Sequence, residues 1–279
     1  MQLIDFEERY HEYAEKWIRE NAGRFQNMEE MENHLTDIYD AFADQEAPWL
    51  GGISPRTYFA RIGDAEQLTD MMCRCEEQGI TPPDLLLDRL VDLGAKAVKP
   101  LIRAAGDRKT GPKSRLLALD LLNELEAREA VPLCLDLVDA RTERDGIADA
   151  AARILARFAE SIRPELLRRA ARAPEEALPT WLDLLSVFSG DPEVYALTEK
   201  AFLNQTKHRA FYANLLGRQQ DERALRALTA VYNTSDIGYL DYMEIANAIE
   251  ALGGDAGDRS RDFSGDPDYE ALRDSREEE

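Results

Sequence analysis

AVKPLIRAA at 97–105 and AVPLCLDLV at 130–138 decide how this chain folds. Each opens on Ala-Val, places a proline within the next two residues, and then spaces aliphatic residues by three and four. That is the period of one apolar helix face. Working outward, related runs recur on both sides: QLTDMM (67–72), PELLRRAA (164–171), VYALTEKAF (194–202) and ALRALTAVY (224–232). Each follows a first amphipathic run that ends on a large apolar residue and a small or polar turn. Those endings are Ile62, Leu93, Leu125, Phe158, Phe188, Leu216 and Leu252, at spacings of 31, 32, 33, 30, 28 and 36. The unit is helix, tight turn, helix, and a repeat of this length weighs more than any single motif. Alternating Val/Ile/Thr-rich runs bounded by turn residues are nearly missing, so the expected class is all-α.

A pair of short helices cannot bury its apolar face alone, whereas stacked pairs share one continuous core. Prolines 100, 132 and 164 recur 32 residues apart and Pro192 follows 28 later. The first turn of a helix is where a missing N–H costs nothing, so these prolines are expected there. On these runs and this spacing the chain resembles the HEAT-like repeat family, in the short variety named after the phycobilisome lyases, over roughly residues 55 to 252. The resemblance implies a right-handed α-solenoid of stacked helical hairpins of the HEAT/armadillo kind, with an N-terminal helical cap. It implies fold and says little about function.

The expected organisation is an acidic helical cap at 1–50, a repeat solenoid at 51–253 and a disordered acidic tail at 254–279. In the cap, Phe6, Tyr10, Tyr13, Trp17 and Phe25 follow helical spacing, as do Met28, Met31, Leu35, Ile38 and Phe42. Solenoids need polar, atypical ends. The stretch WLGGISPRTYF (49–59) joins cap to repeats. It has the look of a phosphate loop, yet a helical segment precedes it and no lysine lies near. We read Ser54 as an N-cap, Pro55 as the first helical residue, Ile53 and Tyr58 as a hydrophobic staple, and Gly51 and Gly52 as the sharp turn. Trp49 and Phe59 are then expected to meet across that seam. In the tail, Asp266 followed by Pro267 can cap a short helix.

The net charge of −21 is concentrated at the ends: residues 1–50 contribute −9 and 251–279 contribute −6. Phosphate-rich partners are disfavoured, and acidic membrane surfaces with them. No apolar run approaches the roughly 20 residues that span a bilayer, and the three cysteines (Cys73, Cys75, Cys134) read as reduced core thiols. The expected location is cytoplasmic.

Chemistry is hard to find. The histidines His11, His34 and His208 lie far apart, no nucleophile elbow or lysine phosphate loop is present, and carboxylates at helical spacing such as Asp88 and Asp92 read as solvated faces. We expect no catalytic residue, metal or cofactor. The most positive local surface is the arginine series Arg153, Arg157, Arg163, Arg168, Arg169 and Arg172, with Lys99 and Arg103 on an earlier second helix. Second helices of such solenoids usually line the concave side, so Lys99, Arg103, Arg168, Arg169 and Arg172 are the candidate binding residues, for an acidic or helical protein segment. The acidic tail is one such segment. The functional expectation is a non-catalytic scaffold or adaptor for proteins. The alternative is an enzyme or enzyme subunit acting on nucleic acid or protein through a basic groove, in the manner of a DNA glycosylase or a lyase.

Overall fold

The structure is a computed structural model and describes residues 3–21, 34–234, 236–257, 259 and 261–277. Among the described residues the chain is helical throughout, and the only extended pairing is an isolated antiparallel bridge between Ala47 and Ile53. Two helices open it, α1 (Phe6–Asn21) and α2 (Leu35–Asp44). Helices then come in pairs: α3 (Pro55–Ala60) with α4 (Ala65–Glu77), α5 (Asp84–Asp92) with α6 (Ala95–Gly106), and α7 (Pro112–Glu124) with α8 (Val131–Asp139). After α9 (Gly146–Ala170) come α10 (Leu178–Leu185) with α11 (Pro192–Asn204) and α12 (Arg209–Arg218) with α13 (Ala224–Tyr232). The last two are α14 (Tyr239–Ala251) and α15 (Pro267–Glu277).

The chain divides into two compact units, Met1–Cys134 with Asp149–Ile154, and Leu135–Ala148 with Leu155–Glu279. In the first, α3 packs on α5 and α5 on α7, while α4 packs on α6. In the second, α10 packs on α12, α12 on α14, and α11 on α13. Each unit therefore pairs first helices with first helices and second with second. The core is what the period requires: Leu68, Met72, Leu86, Leu90 and Leu101 are fully buried in the first unit, and Trp181, Phe202, Tyr212 and Leu216 in the second.

Most of the hairpin turns share one device, the α3–α4 turn at 61–64 excepted. Gly94, Glu126, Gly190, Gln220 and Gly253 all have positive φ, between 49° and 78°. This left-handed residue ends the helix and releases the chain into the next. Thirty-two residues after Glu126 and thirty-two before Gly190 stands Phe158. A bulky aromatic resists the left-handed region, and α9 runs through the expected turn as one helix of 25 residues. Pro164 thus lies inside a helix rather than in a first turn, as does Pro100 in α6, whereas Pro192 does begin its helix. The first expectation fails because ARFAESIRPELL offers no turn residue, so one lost backbone bond is tolerated. Pro100 is displaced because α6 starts early, right after Gly94, with Lys96 and Ala97 donating to carbonyls three residues back.

The joint at 49–59 has the expected parts. The Ser54 side chain accepts from the Thr57 amide at 3.2 Å, Pro55 opens α3, and Gly51 and Gly52 have φ of 72° and 88°. Trp49 and Phe59 both pack on Phe6, with ring centroids 5.4 and 4.8 Å away. Tyr10 and Tyr13 of α1 meet Phe42 of α2. Phe25, Met28 and Met31 lie outside the described residues.

The stretch 254–279 differs from the disordered tail expected of it. Its described residues include α15, and Phe263 and Ala256 are buried. Phe263 packs among Tyr239, Tyr242 and Tyr269, and Arg261 lies over the Tyr242 ring while donating to the carbonyls of Tyr232 and Thr234. Asp266 caps α15 by accepting from the Asp268 and Tyr269 amides, and its other oxygen accepts from the Tyr239 amide at the start of α14. A few aromatic residues with well-aimed polar ones supply the anchoring that low hydrophobicity seemed to deny.

Candidate functional site

The five residues singled out as a binding stripe fall in different units. In the first, Lys99 is exposed on α6 with no ion pair among the described residues, and Arg103 pairs with Glu66 of α4. In the second, Arg168 donates to Glu165 at 2.8 Å. Arg169, one-fifth exposed, is gripped by Glu165 at 2.8 Å, by Asp136 at 3.2 Å and by Asp139. Burial draws the Arg169 guanidinium down, but those carboxylates outweigh it and hold it above its ordinary value. Arg172 is exposed with no ion pair among the described residues. Elsewhere in the series, Arg153 pairs with Asp120 at 2.9 Å and Arg163 with Asp191 at 2.8 Å. Much of this positive charge is spent on nearby carboxylates, several of them on another helix or at a helix start, as expected in an acidic chain.

A prominent open feature lies in the first unit, on the first-helix side. Two adjoining cavities of about 510 Å³ and 380 Å³ share Asp88, Val91 and Glu124. One reaches Arg56 and Phe59 of α3, and the other Tyr39 of α2 and Leu117 and Leu121 of α7. Helix α5 supplies the middle wall with Leu85, Leu87 and Val91. The floor is apolar and the rim is acidic: Asp84, Asp88 and Asp92 stand four residues apart on α5, facing Asp120 and Glu124 four apart on α7. At about 1.5 Å rise per residue, each row places its carboxylates roughly 6 Å apart.

The cations at this rim are occupied. Arg56 is held by Asp44 at 2.7 Å and Asp40 at 2.8 Å. Arg89 donates to the Ile62 carbonyl at 3.0 Å and lies 3.8 Å from Asp92. Among the described residues no ion pair engages Asp84, Asp88 or Glu124. Partial burial first, then the charges of Asp84, Asp92 and Glu124, push the Asp88 carboxyl above its ordinary value, against the pull of Arg56. Tyr39 is pushed up to about 12 by burial and then by Asp84 and Asp88, opposed by a hydrogen bond from the Leu85 backbone. Within the site this negative field is offset only in part, by Arg56 and Arg89.

These residues were missed as a group, though a signal existed. Asp120 and Glu124 stand 32 residues after Asp88 and Asp92, which is the repeat period. Read helix by helix, each carboxylate looks like a solvated face; read at equivalent repeat positions, they line up.

Among the described residues no group of three or more His, Cys, Asp or Glu side chains is arranged to hold a metal ion, and no helix is long and apolar enough to cross a membrane. No protein-family model matches the sequence, and no curated protein does.

Proposed function

We propose that the chain is a HEAT-like repeat protein, a right-handed solenoid that works in the cytoplasm without catalysis as a protein-binding scaffold or adaptor, and that the groove along α3, α5 and α7 is its docking face. The recurring hairpins, their left-handed turn residues and the packing of first helix on first and second on second inside each unit support the repeat reading. The observation that carries the function is the groove itself: a channel floored by Leu87, Val91, Leu117 and Leu121 and rimmed by carboxylates, of which Asp84, Asp88 and Glu124 have no ion pair among the described residues. A polypeptide segment can bury apolar side chains on that floor while the rim fixes its register, which is how a few central anchors come to dominate affinity. Protein is favoured over nucleic acid because the rim would repel phosphates.

The test replaces Leu117 with a photo-crosslinking amino acid in the native cell, with Lys99 replaced as an off-groove control. A discrete polypeptide adduct at 117 and none at 99 is the expected result. Adducts to nucleic acid, or the same adducts at both positions, would overturn the reading.

A further inference from the structure

Resting on that docking reading, we infer that the groove takes a cationic amphipathic α-helix, with one apolar stripe and Lys or Arg side chains at four-residue spacing beside it. The site is defined by the cavity, whose floor of Tyr39, Leu87, Val91, Leu117 and Leu121 calls for an apolar stripe. Charge complementarity then selects the flanks. Asp84 and Asp88 on one side and Glu124 on the other lack ion-pair partners, and the rise of a helix, roughly 6 Å per four residues, is the same in the partner as in the rows it meets. A helix whose lysines stand at i and i+4 therefore places successive ammonium groups against successive carboxylates.

Backbone chemistry distinguishes a helix from an extended strand. An extended segment brings its own N–H and C=O groups into the channel, and each must find a partner or lose a hydrogen bond. The rim offers acceptors in abundance and few free donors: Arg56 is held by Asp40 and Asp44, and Arg89 donates to the Ile62 carbonyl. Most carbonyls of a strand would therefore lack a protein partner over an apolar floor. A helix satisfies them internally and offers only side chains, which is the ordinary logic of a helix in a groove. Binding also relieves part of a cost already present: burial comes first in raising Asp88, and an incoming cation offsets the carboxylate repulsion that adds to it.

The experiment measures fluorescence anisotropy of the full chain against a designed 18-residue (~27 Å) Leu/Lys amphipathic helix. Its comparators are the same peptide with two central prolines, a Leu/Glu counterpart, and spermine as competitor. The Leu/Lys helix is expected to bind, weakening at least tenfold between 50 and 300 mM salt by screening (order-of-magnitude figures), and the Glu peptide not to bind. D88N/E124Q should weaken binding about tenfold or more, one decade per ~1.4 kcal/mol. The exposed off-groove K109E should leave it unchanged, and circular dichroism of each variant shows that the fold is kept. Equal binding of the proline-broken peptide, full displacement by spermine, or indifference to D88N/E124Q would overturn the inference. If the Leu/Lys helix fails while the crosslinker at Leu117 still captures a polypeptide, the cationic helix is wrong and the scaffold reading stands.

Discussion

Individual residues carry the clearest electrostatic consequences. Asp88 is held above its ordinary value, so the folded chain binds that proton more tightly than the unfolded chain, and the favourable contribution is lost as pH rises through the folded pKa. At pH 7 the ionised carboxylate therefore works against the fold. Asp88→Asn should raise the melting temperature at neutral pH and lose that advantage below the ordinary carboxylate range, as a thermal melt series across pH would show. The same substitution should weaken binding of the cationic helix, so here stability and function pull apart. The thiols make a second case. Burial pushes Cys134 up to about 12 and Cys75 up to about 11, and Cys73, half-buried, is also raised. With a thiol-reactive disulfide at pH 8, native protein should react slowly, Cys73 first, and all three cysteines should react at once in denaturant.

Helices in this chain are tied by carboxylates reaching from one to the next, and these ties were not legible in the local sequence. Glu76 of α4 caps α7: its oxygens accept from the Ser114 amide at 2.7 Å and the Lys113 amide at 3.2 Å. Burial pushes this carboxyl up, but the hydrogen bonds outweigh it and hold it below its ordinary value. The stability it contributes is present above the ordinary carboxylate pKa and is lost as pH falls through the lowered one. Glu76→Ala should cost about 1 kcal/mol at pH 7, the usual worth of a cap, and less near pH 3, as denaturant titrations would measure. Gly111, just before α7, explains why no side chain stands there: a Cβ would fall 2.3 Å from the Glu76 carboxylate. Gly111→Ala should mimic the loss of the cap. Pro112 opens α7, but that its cap comes from a carboxylate 38 residues away could not be read from spacing. At the other end, Asp266-Pro267 was legible as a helix start because cap and helix are adjacent. Its second bond, to the Tyr239 amide at 3.0 Å, was not.

At the scale of the molecule, the C-terminal stretch belongs to the folded second unit. Phe263 is 9% exposed and packs against three tyrosines. Phe263→Ala should destabilise the second unit by about 3 kcal/mol, the lower end for an aromatic truncation. In hydrogen exchange the first turn of α14 should lose protection together with α15, since Asp266 joins them. Loss confined to α15 would show that the tail is merely apposed. The acidic surplus acts at this scale as well. It leaves most arginines engaged in structural pairs, so the face with unpaired charge is the acidic groove of the first unit.

The sequence by itself determined the helical class, the hairpin period and the joint at 49–59, because each rests on neighbours a few residues apart: apolar spacing, a capping serine, a proline in a first turn, two glycines at positive φ. Tertiary structure decided the rest. It joined the fourth expected hairpin into one helix, where Phe158 stands in place of a left-handed residue. It folded the tail by bringing Phe263 to Tyr239 and Tyr242, which its own stretch does not contain. It also decided which charges are already paired: Arg169 beside Glu165, Asp136 and Asp139 is a structural tie, whereas Asp84, Asp88 and Glu124 have no ion pair among the described residues and are the charges we propose face a partner. Charge in a sequence is a property of a residue, but its availability is a property of the residues that packing places around it.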